Sequence, residues 1–193
     1  MRRMSVNDAV VSLSYHPFDP EINFWVAREY DALGQTAAAI SFYLRTAEYG
    51  YKTHPEHAYE SLLRMSKCFE AQYNREFTVS GAILQAISLM PERPEAYLLM
   101  SRFFEKTSQW QESYTWASMG REKEKRGSYK KLPVGIDYQF EVSLEYQLAV
   151  VGYWIGRQKE SIDIFAGILD KSKMVEQFVS GSENNLRRLN VIV

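Results

Sequence analysis

The chain has 193 residues, of which 46% are hydrophobic and 14% aromatic, so it can form an ordinary domain and is not a disordered or low-complexity sequence. Its formal net charge of −1 gives no global attraction to nucleic acid or to an anionic membrane. A single cysteine excludes a disulfide framework and a cysteine-rich zinc site, and it is typical of proteins in a reducing compartment.

Two segments bear on location. The N-terminus begins with two arginines but reaches Asn7 and Asp8 before any apolar run develops, so we expect no signal peptide. The most apolar window, residues 148–156, is far shorter than the roughly 20 residues that span a bilayer. The sequence therefore predicts a cytoplasmic protein without a membrane span.

Helix-start signals recur along the chain. Proline follows a capping or polar residue and precedes glutamate in residues 19–21, 53–56 and 92–95, a pattern that favours the first turn of a helix. Ser108 and Gln111 have the spacing of a capping box, which predicts a fourth start. No segment alternates apolar and polar residues between tight-turn signals, so the sequence predicts an all-α fold.

The helices repeat. Small residues mark a first helix at Ala27, Ser66, Ser101 and Ala149, with separations of 39, 35 and 48 residues. Matching sites on a second helix are Ala39, Val79, Ser113 and Ser161, separated by 40, 34 and 48 residues. Small side chains let antiparallel helices approach closely, and a period near 34 is typical of the tetratricopeptide repeat. The alternative is an irregular helical bundle with accidental periodicity.

We therefore predict a right-handed α-α superhelix of about three to four tetratricopeptide-like hairpins, forming a single domain over residues 1–193. The predicted repeats and capping helix lie at approximately 20–50, 54–91, 94–126, 136–170 and 173–190. Residues 5–15 are a candidate cap for the other end, because solenoids cover their terminal apolar faces. An insert, residues 121–135, precedes the fourth hairpin.

Five segments carry a more specific resemblance. They are residues 39–48 followed by Gly50, then 66–71, 97–105, 153–160 and 184–189. Their order resembles the helical repeat region appended to family 2 glycosyltransferases, over about residues 17–189. The Asp-x-Asp motif of the catalytic domain is absent from the sequence, so the resemblance implies only the non-catalytic helical module. It implies a scaffold tied to a glycosyltransferase system, or alternatively an accessory module that binds an acceptor or a sugar.

No pattern in the sequence indicates an enzyme, a cofactor or a metal site. His54 and His57 flank Pro55 at a helix start, so an exposed joint is favoured over a zinc pair, which usually lies at i, i+4 within a helix. Cys68 lies among core positions, which favours a buried, unreactive thiol over a nucleophile.

The first helices of such repeats line a concave groove, where we expect a protein or peptide partner. A basic and an acidic residue recur there at i, i+3, either as solvated intrahelical pairs or as a ladder that orients a charged partner. The fourth repeat replaces the ladder with aromatic residues, which are better anchors. The predicted groove residues are Phe24, Arg28, Asp31, Leu63, Lys67, Glu70, Leu98, Arg102, Glu105, Tyr146, Tyr153 and Trp154.

Two further features leave the partner open. Exposed aromatics of the fourth repeat and the C-terminus make a homodimer one candidate assembly. Residues 121–131 carry six basic and two acidic side chains, which fit a solvated helix end followed by a loop, or alternatively a local anion-binding patch. Nucleic acid is not an expected partner, because the aromatics lack a surrounding basic field.

Overall fold

The computed structural model describes residues 6–127, 129–170 and 176–189, and within these ranges the regular elements are all helices. The helices are α1 (Val6–Tyr15), α2 (Pro20–Ala32), α3 (Thr36–Gly50), α4 (Pro55–Glu70), α5 (Glu76–Leu89), α6 (Glu95–Lys106), α7 (Trp110–Arg126), α8 (Ser143–Trp154), α9 (Gln158–Asp170) and α10 (Glu176–Arg188). The predicted all-α class is confirmed. None of these helices combines the length and apolar character that a bilayer span requires.

The helix boundaries follow from local chemistry. Asp19 caps α2, because its Oδ1 accepts a hydrogen bond from the Ile22 N–H at 2.9 Å, and Pro20 occupies the first turn. Gly34 follows the C-terminal end of α2 and has φ +71°, a left-handed conformation that glycine adopts without strain. Pro55 opens α4 in the same way as Pro20 opens α2.

The capping box predicted at Ser108 is wrong. Ser108 has φ +56°, and its N–H donates to the Glu105 carbonyl, while the Gln109 N–H donates to the Phe104 carbonyl. These bonds terminate α6 in a left-handed C-terminal motif, so Ser108 belongs to the end of one helix and does not cap the next. Helix α7 begins at Trp110 without a side-chain cap.

The chain forms two compact units, each built from hairpins of consecutive helices. Unit 1 comprises residues 1–91 and 128–136, and unit 2 comprises 92–127 and 137–193. In unit 1, α2 packs on α3, α3 on α4, and α4 on α5, while α1 lies on α2. In unit 2, each of α6 to α9 packs on the next helix along the chain. The hairpins α2/α3, α4/α5, α6/α7 and α8/α9 correspond to the four predicted repeats; the assignment of the whole chain to one domain stays a prediction.

In unit 2, residues that mark the repeat lie where the paired helices approach closely. All eight marker side chains are buried. In unit 2, the Ser113 hydroxyl donates to the Ser101 carbonyl at 2.8 Å, and a Cβ added at Gly152 would lie 3.0 Å from the Ser161 hydroxyl. Close helix approach is therefore the physical origin of the sequence period.

The predicted C-terminal cap corresponds to α10. It places Phe178 and Leu186 in the core of unit 2, against Val142 and Ile168 and against Ala149 and Phe165, respectively. The predicted boundaries of this cap at 173 and 190 lie outside the described residues. Helix α10 is thus a full member of the apolar core.

Candidate functional site

The predicted groove residues divide into buried and accessible ones. Phe24, Leu63 and Leu98 are fully buried, so they offer no surface to a partner. They belong to the apolar core below the exposed side of each helix. The charged side chains lie four and seven residues further along the same helices. The accessible part of each face is therefore charged over an apolar floor.

In unit 1, Asp31 is the centre of a network that joins three helices. Arg28 of α2 approaches its Oδ2 at 3.8 Å, and Arg64 of α4 at 4.0 Å. The Tyr43 hydroxyl of α3 donates to the same oxygen at 2.9 Å. Burial, assisted by the Asp31 charge, raises the pKa of Tyr43 above its ordinary value, so this phenol stays protonated. The predicted Arg28–Asp31 pair thus exists within a larger internal network.

Cys68 belongs to the same network. Its Sγ lies 3.7 Å from Asp31 Oδ1, and burial together with the Asp31 charge raises the pKa of the thiol to about 12. Nucleophilic cysteines have a lowered pKa, so this one is unreactive at neutral pH, as the sequence predicted.

The two histidines at the α4 joint do not form a metal site with Cys68. The His54 and His57 rings lie edge to face with centroids 5.7 Å apart, and His57 also packs edge to face against Phe24. Burial lowers the pKa of His57, which favours its neutral form. Over the described ranges, no three His, Cys, Asp or Glu side chains are grouped as metal ligands would be.

The other predicted pairs are disposed differently. Lys67 and Glu70 are exposed on α4. In unit 2, Glu105 accepts a hydrogen bond from Gln147 Nε2 of α8 at 2.7 Å. Among the described residues, no ion pair engages Arg102. Arg102, the basic residue of the third predicted pair, is therefore accessible to a ligand.

Arg102, Glu105 and Tyr146 line a cleft of about 780 Å³ within unit 2. Helix α6 contributes Lys106 beside the predicted residues, and α8 contributes Gln147 and Val150. The remaining wall comes from α10, through Gln177, Phe178, Gly181, Asn184, Asn185 and Arg188. Two helices of the repeat and the C-terminal helix thus form one concave site.

Tyr146 attaches α10 to this site. Its ring lies edge to face against Phe178 and Phe165, with centroids 5.3 and 5.7 Å apart. Its hydroxyl accepts a hydrogen bond from Asn185 Nδ2 at 3.3 Å, and burial raises its pKa. A Cβ added at Gly181 would lie 2.5 Å from that hydroxyl, so only glycine allows this approach. The packing fixes which face of α10 lines the cleft.

The α10 residues of the cleft were missed by sequence reasoning, although their pattern carried a signal. Phe178, Ser182 and Leu186 recur every fourth residue and are buried. The positions that line the cleft, such as Gln177, Asn184 and Arg188, follow from the adjacent polar face. The pattern predicts an amphipathic helix, but not what its polar face meets.

An aromatic cluster adjoins the cleft. Trp154 is 59% exposed and stacks on Trp110, with nearly parallel rings whose centroids are 5.1 Å apart. Trp110 also lines the cleft, and Tyr153 lies edge to face against Trp154. A stacked, exposed indole pair is a rigid apolar surface of the kind that anchors partners.

The fold is shared with solved structures, whereas no protein-family model and no curated protein sequence matches the chain. PilW, described as a widely conserved type IV pilus biogenesis factor, has a TM-score of 0.67 at 12% identity, covering 90% of this chain and 72% of that one. MamA from Desulfovibrio magneticus RS-1 has a TM-score of 0.63 at 11% identity, covering 88% and 86%. A thermophilic TPR protein of Thermus thermophilus has a TM-score of 0.60 at 15% identity, covering 94% and 88%. These likenesses show the tetratricopeptide-type helical fold.

Proposed function

We propose that this chain is a non-catalytic protein-binding scaffold and that the cleft of unit 2 holds a segment of a protein partner. The observation that carries the proposal is the convergence of α6, α8 and α10 on one concave site of about 780 Å³. That volume lies within the range of about 300–1,000 Å³ that is common for binding clefts. The tetratricopeptide fold supports the same conclusion by analogy with other scaffolds.

The chemistry of the lining specifies the partner segment. Arg102, Lys106 and Arg188 bring three positive charges, against Glu105 and Asp137. We therefore expect the partner to present a carboxylate to this cluster. The amide side chains of α10 can pair with both the donors and the acceptors of a peptide backbone.

The aromatic cluster supplies the apolar part of the interaction. Trp110 connects the cleft to the exposed Trp154, so an apolar side chain next to the acidic residue would lie against the indoles. Tryptophan and arginine are the residues most enriched among interface hot spots. The proposed ligand is accordingly a short acidic and apolar segment.

Site-specific photo-crosslinking tests this assignment. A photoreactive residue at Asn184 lies in the cleft, whereas the same residue at the neighbouring Glu183 is exposed outside it. We expect the Asn184 probe to capture a partner that the Glu183 probe does not capture. Equal capture at both positions would refute the cleft as the binding site.

A charge reversal provides the matched second test. Arg188→Glu removes a cation from the cleft, while Arg187→Glu changes the adjacent exposed residue of the same helix. We expect Arg188→Glu to weaken binding of the captured partner at least about tenfold, because a like charge replaces an attractive one. Arg187→Glu should leave the affinity within about twofold.

Several finer aspects of function stay predictions. The link to a glycosyltransferase system and the cytoplasmic location rest on the sequence alone. A homodimer would appear as a concentration-dependent mass in sedimentation equilibrium, and Trp154→Ala is expected to reduce it if the exposed indole forms the contact.

A further inference from the structure

The segment of residues 129–136 packs against α4 and is held there by hydrogen bonds to its backbone. It belongs to unit 1, although it follows a helix of unit 2 in the sequence. Glu60 Oε2 accepts hydrogen bonds from the N–H groups of Val134 and Gly135 at 3.0 and 3.1 Å. Arg64 donates from its terminal nitrogen to the Gly135 carbonyl at 2.6 Å. These three hydrogen bonds are therefore all made to backbone groups of the segment.

Glu60 and Arg64 hold each other in position to bind the segment. The Arg64 guanidinium binds Glu60 Oε1 through two nitrogens, each at 2.7 Å, which leaves Oε2 for the segment. The Glu60 side chain is fully buried, and the Arg64 side chain is 13% exposed. A buried carboxylate is costly unless both of its oxygens accept hydrogen bonds. The two backbone N–H groups therefore complete the hydrogen bonding of Glu60.

The segment follows α4 in the direction of the helix, with bends at residues 133 and 134. Lys130 Nζ lies 3.7 Å from Glu56, and the next contacts are at Glu60 and Arg64, each one helical turn further on. Eight helical residues rise about 12 Å, a distance that the chain between Lys130 and Gly135 is long enough to cover. Leu132 is buried at 6% exposure, so an apolar side chain accompanies the polar contacts.

Glycine is required at one position of the segment. Gly135 has φ +90°, a conformation that L side chains rarely adopt, and nothing lies within 4 Å of a Cβ built there. An alanine at this position would strain the bound backbone without colliding with α4. A substitution at Gly135 should therefore disturb the backbone conformation of the segment without altering the surface of α4 that the segment contacts.

The contacted residues Glu56 and Glu60 lie on the same side of α4 as the positions that the sequence assigns to partner binding. Glu56, Glu60 and Leu63 share a helical face with Lys67 and Glu70, because their spacing follows the helical period. We propose that the α4 face of unit 1 is a second peptide-binding surface, occupied by residues 129–136 until a partner segment of the same chemistry displaces them. The partner segment carries a basic residue, an apolar residue two positions later, and a glycine three positions after that.

The probe is a labelled peptide with the sequence of residues 129–136, titrated into the full chain and followed by fluorescence anisotropy. Gly135→Ala weakens the internal segment, so we expect it to tighten peptide binding by about tenfold relative to the unsubstituted chain. The matched control is Gly34→Ala, which places alanine at φ +71° in open space elsewhere in unit 1 and should leave peptide affinity unchanged. Adding Glu60→Gln to Gly135→Ala should abolish the gain.

Hydrogen exchange of the unsubstituted chain gives an independent readout. The amides of Val134 and Gly135 should exchange slowly, and the peptide should accelerate their exchange, whereas a peptide with alanine for glycine should not. The proposal is overturned if the peptide binds no variant, if Gly34→Ala and Gly135→Ala behave alike, or if exchange at these two amides is unaffected by the peptide. None of these outcomes depends on the cleft of unit 2.

Discussion

The first helices of the two units differ in which of their charged side chains are engaged within the protein. In unit 1, Asp31 is engaged by Arg28, Arg64 and Tyr43, and Glu60 is sealed by the backbone of residues 129–136. In unit 2, the corresponding first helix presents Arg102 into a cleft, and Arg188 joins it from α10. Among the described residues, no ion pair engages either arginine.

The difference shows that the repeat sequence does not by itself decide whether a charged face is available. Each face carries the same alternation of basic and acidic residues at i, i+3. What differs is the neighbouring segment, which is a loop bound to Glu60 and Arg64 in unit 1 and an amphipathic helix beside Arg102 in unit 2. Stability experiments should therefore separate the units clearly.

The largest expected effect comes from removing the buried acid of unit 1. Glu60→Ala leaves the Val134 and Gly135 N–H groups and the Arg64 guanidinium without their acceptor, which should lower the free energy of unfolding by about 3–5 kcal/mol. The comparison in unit 2 is Glu105→Ala, whose partner Gln147 is uncharged, with an expected loss of about 1 kcal/mol. Urea denaturation measures both. Equal losses would remove the contrast between the units.

Cys68 reports on unit 1 alone, because it is the chain's single cysteine. With a pKa of about 12, the native thiol should react with a disulfide reagent at pH 8 roughly a thousandfold more slowly than the same thiol in the urea-unfolded chain. A native rate within tenfold of the unfolded rate would show that the network around Asp31 opens readily.

The same thiol gives a pH dependence with a defined sign. The folded pKa is raised above the ordinary value of 9.0, so the unfolded chain loses its proton first as the pH rises. This contribution to stability is complete below about pH 9 and is lost as the pH approaches 12. Cys68→Ala should show a shallower decline over this range than the unsubstituted chain.

A smaller effect is expected from a pair of glycine substitutions, one in each unit. In Gly120→Ala, the new Cβ would lie 2.7 Å from the Tyr97 Cβ and 3.1 Å from Leu144, so unit 2 should lose about 1–3 kcal/mol of stability. Gly81→Ala on α5 meets nothing within 4 Å and should gain about 0.5–1 kcal/mol from helix propensity. Thermal unfolding measures whether each substitution stabilises or destabilises the protein. If both destabilised it, the loss at Gly120 could not be assigned to close packing at that residue.

The smallest effects concern the predicted ladder itself. The Arg28–Asp31 pair is 3.8 Å long and partly exposed, so Arg28→Ala should cost at most about 0.5 kcal/mol. Arg102→Ala should change stability equally little but weaken binding of a crosslinked partner, because its guanidinium lines the cleft. A larger effect of Arg102→Ala on stability than on binding would identify a structural role.

Local patterns predicted the helices well because they depend on neighbours in the sequence. Asp19 and Pro20 define a helix start within three residues, and Ala27 and Ala39 are buried small residues of one hairpin. The failure at Ser108 is also local: a serine can cap a helix or adopt a left-handed φ at the end of one, and the residue type alone does not decide.

The site could be predicted only in part, because its contacts join distant residues. Arg102, Glu105 and Tyr146 were found from their register in the repeat, and they do line the cleft. Their α10 neighbours were missed, since the Asn185–Tyr146 contact spans 39 residues. The Glu60–Gly135 contact spans 75 residues and uses backbone groups, which leave no trace in a side-chain pattern.

That last separation affects how the protein is made. Ribosomes add about 5–20 residues per second, so roughly 4–15 s elapse between synthesis of Glu60 and of Gly135. Throughout this interval the nascent N-terminal half must carry its acidic α4 face uncovered, and a chaperone or a neighbouring nascent chain could occupy it first. Completion of the N-terminal half therefore waits for a stretch translated after the third hairpin.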